Sequence, residues 1–265
     1  MSVSYLGEVD GACESDGDAA AGVRAKQGSP VRQAVVLAGG LGRRMLPLSR
    51  FRPKAMVEVD GTPILRHQID WFAGCGVRHV VVSAGHLAQV IVDYLGSARV
   101  PLRVQVVVEE RPLGRGGALK RAAGELPYPN EPWLAAYGDI WTGFALADMA
   151  AYHRRHGAPA TVALAGPGLP GQGMECDERG LVTALVPDPA PRCRVNAGVY
   201  LFAPQVVGLL PDTGDHVPGT LARLAGAGQL MGYPVEGMWR AVNTPHDLAG
   251  LEGELAAARR SAGTS

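Results

Sequence analysis

Four cysteines, Cys13, Cys75, Cys176 and Cys193, are scattered through 265 residues with no C-x-x-C spacing among them. That absence argues against both a zinc site and a disulfide framework, and it fits a reducing cytoplasm. The chain also lacks an excess of charge of either sign, with 25 basic against 25 acidic residues. No whole-chain footprint for nucleic acid or a membrane surface is therefore present, and small molecules are the expected partners. No apolar run approaches the roughly 18–20 residues of a spanning helix, and the first residues lack the basic-then-apolar order of a secretory leader. Cytoplasmic residence is the expectation. Apolar side chains, by contrast, are plentiful at 47 % of the chain, enough for a core that needs no covalent staple.

Residues 1–30 are rich in Gly, Ala, Ser and acidic side chains without a sustained apolar period, the composition of a disordered tail. Beyond them, strand-like apolar runs at 34–38, 79–83, 104–108, 133–137 and 160–164 alternate with helical stretches at 63–74, 86–95, 116–124 and 145–156. That rhythm predicts an α/β fold: a Rossmann-like open, mostly parallel sheet flanked by helices. From Gly171 onward Pro- and Gly-rich segments break the rhythm, with strands near 181–186 and 195–202 and a closing helix over 245–260. A smaller lobe from this second half would cover the crevice that open sheets form beyond the carboxyl ends of their strands.

The first strand, Ala34 to Ala38, runs into Gly39-Gly40-Leu41-Gly42-Arg43-Arg44, with Pro53-Lys54 further on. Glycines let the backbone turn sharply against a ligand, and successive N–H groups in such a turn cradle an anion. Arg43 and Arg44 add forked positive charge and Lys54 a mobile cation. Two simpler motifs fail here. A dinucleotide fingerprint needs a third glycine where Met45 stands, and no Gly-Lys-Ser/Thr follows for a P-loop.

The spaced set as a whole resembles the signature of the sugar-phosphate nucleotidyltransferases, the nucleotide-sugar pyrophosphorylases. That family opens with Gly-Gly-x-Gly-x-Arg-Leu-x-Pro-Leu-Thr and then Pro-Lys. Glu109 to Leu119 (Glu-Glu-Arg-Pro-Leu-Gly-Arg-Gly-Gly-Ala-Leu) is similar to its Glu-x-x-Pro-Leu-Gly-Thr-Ala-Gly-Ala-Leu. Gly138-Asp139 stands at a strand end, Asn196 to Tyr200 matches Asn-Ala-Gly-Ile-Tyr, and Trp239 to Leu248 resembles Trp-x-Asp-x-Gly-Thr-Pro-x-Asp-Leu. In motif form the mannose and heptose 1-phosphate guanylyltransferases are most similar. The resemblance implies a transferase domain over 31–260, with a nucleotide-binding half at 31–165 and a sugar-phosphate lobe plus closing helix at 166–260.

It also implies roles. An oxygen of a sugar or cyclitol 1-phosphate would attack the α-phosphorus of a nucleoside triphosphate and expel pyrophosphate, with Arg44 on the pyrophosphate and Lys54 bridging the α-phosphate and the incoming phosphate. The attacking group is already an anion, so orientation and charge neutralisation matter more than a base. Leu37, Ala38, Gly39, Gly40, Gly42, Arg43, Glu109, Pro112, Gly114 and Gly138 would line the nucleotide, and Gly173, Asn196 and Arg194 the sugar phosphate. Asp139 would hold Mg²⁺. Relatives form dimers and tetramers, so a homo-oligomer is expected.

Base choice follows from Glu109, where some relatives carry glutamine. A carboxylate only accepts, which suits the two adjacent N–H donors of guanine and favours GTP over UTP, dTTP or CTP. Glu110 is the alternative reader. Two positions break the family pattern. Ala241 stands where a second metal aspartate is usual, leaving Asn243 either to supply an oxygen or merely to cap the chain before Thr244-Pro245. Pro187 and Asp188 stand where Glu-Lys is usual, leaving Arg192 or Arg194 to meet the sugar phosphate. These losses keep a catalytically weak nucleotide-sensing relative as the competing reading. A glycosyltransferase fits poorly, because Ile140 and Trp141 rather than an Asp-x-Asp follow Asp139. His153 and His156 read as a solvated helix face rather than a metal pair, and Trp239 as a core or lid aromatic.

Overall fold

The computed structural model describes residues 2–5, 31–187, 190 and 192–262, with backbone alone for Ser2–Tyr5 and Ala262. Cys13, Asp188 and most of the expected tail lie outside the described residues. In chain order the strands are β1 (Ser2–Tyr5), β2 (Gln33–Leu37), β3 (Glu58–Val59), β4 (Thr62–Pro63), β5 (His79–Ala84), β6 (Arg103–Val108) and β7 (Trp133–Tyr137). They continue with β8 (Ile140–Thr142), β9 (Ala160–Ala165), β10 (Gly173–Cys176), β11 (Val182–Val186), β12 (Arg194–Phe202), β13 (Leu230–Pro234) and β14 (Trp239–Ala241). The helices are α1 (Ile64–Gly74), α2 (Ala88–Ser97), α3 (Gly114–Ala123), α4 (Leu146–His156), α5 (Ala222–Gly226) and α6 (Pro245–Ala262).

The sheet is built around the parallel strands β6-β5-β2-β7. The chain moves outward from β2 through β5 to β6, then returns to the other side of β2 as β7. Because parallel crossovers are right-handed, reversing direction moves the connecting helix to the opposite face. Accordingly α1 and α2 pack with Ala34, Val36, Val80 and Val82 on one face, while α3 packs with Val35, Val81 and Ala135 on the other. Residues 34–37 of β2 alternate between the two cores, which is why they read as an unbroken apolar run. Each fully buried valine among them contributes about 1.5–3 kcal/mol.

β12 runs antiparallel between β7 and β9, and β13 pairs parallel with β9. The second half of the chain thus extends the same sheet, with β10 and β11 continuing beyond the first residues of β12. Within the stretch expected to be a tail, Ser2–Tyr5 instead pairs antiparallel with β6 from Ser2↔Val107 to Tyr5↔Val104. An exposed sheet edge presents unpaired backbone groups, and a short strand can add to it whatever its overall composition.

The two histidines of α4 do not form a solvated face. His153 is buried and its Nδ1 lies 2.8 Å from Thr161 Oγ1, while His156 Nε2 lies 3.0 Å from the same hydroxyl. Burial, with His156 and Arg154 nearby, lowers the His153 pKa to about 4. In the unfolded chain the imidazole binds a proton near pH 6.5, so between about pH 6.5 and 4 the unfolded state holds more protons and stability falls as pH falls. The expected loss is up to about 3 kcal/mol for this group. Thermal melts from pH 7.5 to 4.5 would show it as a steep decline in Tm that His153→Gln flattens. Equal slopes for the two proteins would remove His153 as the cause.

Candidate functional site

The direction of the chain reverses between β2 and β7, so the loops leaving these neighbouring strands diverge and open a crevice between them. A cavity of about 530 Å³ occupies it, lined by Leu37, Ala38, Gly39, Gly40, Lys54, Glu109, Pro112, Gly114, Gly138 and Asp139 of the expected set. A second groove, about 660 Å³ and lined by Phe51, Arg66, Asp70 and Tyr94 among others, pairs its charges internally through Arg66–Asp70 and Arg52–Glu58. It leaves no convergent chemistry.

At one end of the cavity three groups from distant segments meet. Lys54 opens a single 3-10 turn, Lys54–Met56, after Pro53. Its Nζ donates to Asp139 Oδ2 at 2.5 Å and to Asn243 Oδ1 at 2.7 Å. Arg44 Nη2 donates to the same Asn243 oxygen at 3.0 Å, from an exposed turn whose loop is tied by the Ser49 hydroxyl donating to Gly42 O. Arg43 is exposed on that turn. Asp139 follows β7, and its carbonyl accepts the Val242 N–H at 2.8 Å, bringing the segment after β14 alongside. Ala241 pairs with Ile140 in the β14–β8 ribbon.

Asn243 contributes to the helix cap only through its backbone. The start of α6 is held by Asp247 Oδ2, which accepts the N–H groups of Asn243 and Thr244, and by Thr244 Oγ1, which accepts the Asp247 N–H. That reciprocal cap leaves the Asn243 amide oxygen aimed at the two cations. A carboxylate and an amide oxygen that converge on an ammonium are a hard, oxygen-only donor pair, which suits a divalent cation that also takes phosphate oxygens. Among the described residues no cluster of three or more His, Cys, Asp or Glu offers an all-protein metal cage.

Glu109 lines the same cavity. Ser83 Oγ donates to Glu109 Oε1 at 3.1 Å and the Leu113 N–H to Oε2 at 3.2 Å, so both carboxylate oxygens are oriented. Gly39 makes room for them: a Cβ there would stand 2.8 Å from Glu109 Oε1. Glu110, the alternative reader, also lines the cavity.

The sequence reading missed a third group. Arg115 lines the cavity at the start of α3 and donates through Nε to Asp215 Oδ2 at 2.9 Å, with Nη2 on the same oxygen. Its Nη1 donates to Tyr137 Oη at 3.2 Å, and Tyr200 Oη donates to the same phenol at 2.8 Å. Burial pushes Tyr137 up to about 12, so its hydroxyl keeps its proton, and it faces His216 Nε2 at 3.4 Å. Burial lowers His216 to about 4, keeping it neutral. Burial alone would raise Asp215, but the Val217 N–H and the Arg115 guanidinium more than offset it and hold the carboxyl below its ordinary range. Arg115 stands where the family pattern has threonine, the one sequence signal that could have singled it out.

The sugar-side residues are placed differently. Asn196 reaches the cavity indirectly: its Nδ2 donates to Tyr200 Oη at 2.8 Å and Tyr200 to Tyr137, while its Oδ1 takes the Gly198 N–H. Gly173 and Arg194 lie on the paired strands β10 and β12, outside the cavity lining. Trp239 is a core residue, its Nε1 donating to Ala197 O at 2.9 Å.

Comparison with known proteins identifies the family. The Nucleotidyl transferase family model matches residues 33–249. Mannose-1-phosphate guanylyltransferase of Mycobacterium tuberculosis is 33 % identical over 229 residues, covering 81 % of this chain and 62 % of that protein. Mannose-1-phosphate guanyltransferase of Candida albicans is 30 % identical over 225 residues, covering 82 % and 62 %. The chain thus spans under two thirds of the length of these relatives. Among solved structures, HddC from Yersinia pseudotuberculosis, also seen complexed with GMP-PN, has a TM-score of 0.75 at 20 % identity and covers 85 % of this chain and 100 % of its own. A UDP-glucose pyrophosphorylase complexed with UDP-glucose has a TM-score of 0.72 at 15 % identity, covering 86 % and 99 %. With a family match that takes in the Gly-rich loop, Lys54, Glu109, Asp139 and Asn243 in one span, the chain belongs to the nucleotidyl transferase family.

Proposed function

We propose that this protein transfers GMP from GTP to the phosphate of a sugar or sugar-like cyclitol 1-phosphate, releasing pyrophosphate. The observation that carries the reading is a single cavity lined by an oriented carboxylate, Glu109, and by Lys54 and Asp139, with Asn243 and Arg44 hydrogen-bonded into the Lys54 cluster beside it. The names of the relatives, which specify guanylyl transfer to mannose 1-phosphate, support the base and the acceptor class.

An acceptor phosphate oxygen forms a bond to the α-phosphorus while the bridging bond from the α-phosphorus to the β-phosphate oxygen breaks, and pyrophosphate leaves with that electron pair. Lys54, held at 2.5 Å from Asp139, is placed to neutralise charge on the α-phosphate and the incoming phosphate, and Arg44 to hold the pyrophosphate. Backbone N–H groups of the Gly39–Gly42 turn cradle the triphosphate. Asp139 and Asn243 are the residues that would hold Mg²⁺, which supplies charge neutralisation on phosphate oxygens when bound. On the acceptor side, Asn196 keeps one amide N–H for a sugar hydroxyl. Gly173 and Arg194 complete the proposed acceptor site from β10 and β12.

The test is phosphate release in a pyrophosphatase-coupled assay with Mg²⁺, each of GTP, UTP, dTTP, CTP and ATP, and a panel of hexose, heptose and cyclitol 1-phosphates. Turnover with GTP is expected, and Glu109→Gln should cost about 10–100-fold in kcat/KM for GTP, because the amide turns one acceptor into a donor against guanine. Turnover confined to UTP or dTTP overturns the base assignment. The alanine at 241 favours one second reading, a nucleotide-sensing protein, which tight GTP binding without turnover on any acceptor would support.

A further inference from the structure

We propose that Arg115 is a second base-specificity residue, its guanidinium fork reading the O6/N7 edge of guanine while Glu109 takes N1–H and N2–H. The inference rests on the reading of this cavity as a guanylyl-transfer site.

Three observations carry it. First, Arg115 and Glu109 belong to one recognition loop: the Leu113 N–H that orients the Glu109 carboxylate lies two residues before Arg115, and both side chains line the same cavity. Second, the guanidinium is pre-positioned. Nε and Nη2 each donate one N–H to Asp215 and Nη1 one to Tyr137, so one N–H remains on each of the two terminal nitrogens. Two donors on adjacent terminal nitrogens of one planar group suit two adjacent acceptors in one plane. Third, the charge is already balanced by Asp215, and no hydrogen bond joins Arg115 to the Lys54–Arg44 cluster among those the described residues show. A charge-paired guanidinium is suited to uncharged oxygen and nitrogen acceptors rather than to phosphate.

Together a carboxylate and a fork match the guanine edge and oppose adenine twice. Adenine sets an amine against the Arg115 donors and a bare ring nitrogen against the Glu109 carboxylate. ATP is therefore expected to be rejected through both groups.

Steady-state kinetics with GTP, ITP and 7-deaza-GTP test the assignment, with the acceptor found for the wild type. ITP lacks the 2-amine and reports on Glu109; 7-deaza-GTP lacks the N7 acceptor and reports on Arg115. Arg115→Ala is expected to raise KM for GTP by about 10–100-fold, to abolish the wild-type penalty for 7-deaza-GTP and to keep the penalty for ITP. Arg115→Lys, which keeps charge and a donor but not the fork, should resemble Arg115→Ala in these ratios and serves if the alanine variant does not fold. A full 7-deaza penalty in the variants, a rise confined to the acceptor KM, or a lowered Tm with unchanged nucleotide KM would overturn the proposal while leaving guanylyl transfer intact. A wild type that turns over UTP but not GTP removes the underlying reading instead.

Discussion

Lys54→Ala is expected to lower kcat by about 10³-fold, roughly 4 kcal/mol of transition-state stabilisation, in a protein that still folds. The Lys54 side chain is only 15 % exposed, its ammonium sits on two oxygens at 2.5 and 2.7 Å, and it links Asp139 to Asn243. Its removal leaves Arg44 on the Asn243 oxygen but nothing equivalent on Asp139 among the described hydrogen bonds. Fold stability should fall as well, because removing one partner of a largely buried pair leaves the Asp139 carboxylate without its cation, so rates are compared at a temperature where both proteins are folded. Lys54→Arg should not rescue the rate, since a planar fork cannot place one nitrogen between two converging oxygens as an ammonium does. Single-turnover rates with GTP and acceptor at saturation check this. A variant within tenfold of the wild type would take Lys54 out of the chemistry.

The second large effect is on stability and binding together. Gly114→Ala should destabilise the fold by about 2–4 kcal/mol, because Gly114 has φ +75° and a Cβ there would stand 2.6 Å from Gly214 O and 2.9 Å from its carbon. Those atoms are backbone and cannot rotate away. Two hydrogen bonds, Gly116 N–H to Gly214 O and Gly214 N–H to Leu113 O, pin the loop from both sides. For a chain of this size the expected fall in Tm is on the order of 10 °C. Relief of the clash would also displace Leu113, whose N–H orients Glu109, so affinity for the proposed nucleotide, GTP, should fall with stability. Gly253→Ala is the control: it lies exposed in α6 with open space around it, and alanine there should stabilise by about 1 kcal/mol. A Gly114→Ala protein that melts with the wild type would show that the loop yields.

Much of the fold was legible along the chain. Expected strands at 34–38, 79–83 and 133–137 fall within a residue of β2, β5 and β7, because apolar runs buried on both faces end abruptly at turn residues. The cavity lining was legible for the same reason: Gly39, Glu109 and Asp139 stand just beyond the ends of β2, β6 and β7, and strand ends of a parallel sheet share one edge. His153 was misread because helix periodicity says which residues share a face, not that Thr161 on β9 comes up to meet that face.

By itself, then, the sequence determined the local elements and the kinds of charge at each loop, since hydrophobic period, glycine and proline act over a few residues. Only the tertiary structure decided which loops meet. Asn243 faces Lys54 from 189 positions away, and Asp215 faces Arg115 from 100 positions away. Strand order and register set both contacts: β14 on β8 carries Asn243 to Asp139, and the segment at 211–216 closes against the start of α3. No local pattern encodes such pairings, because they arise when both faces of one sheet are covered and the connections between strands take their single allowed hand.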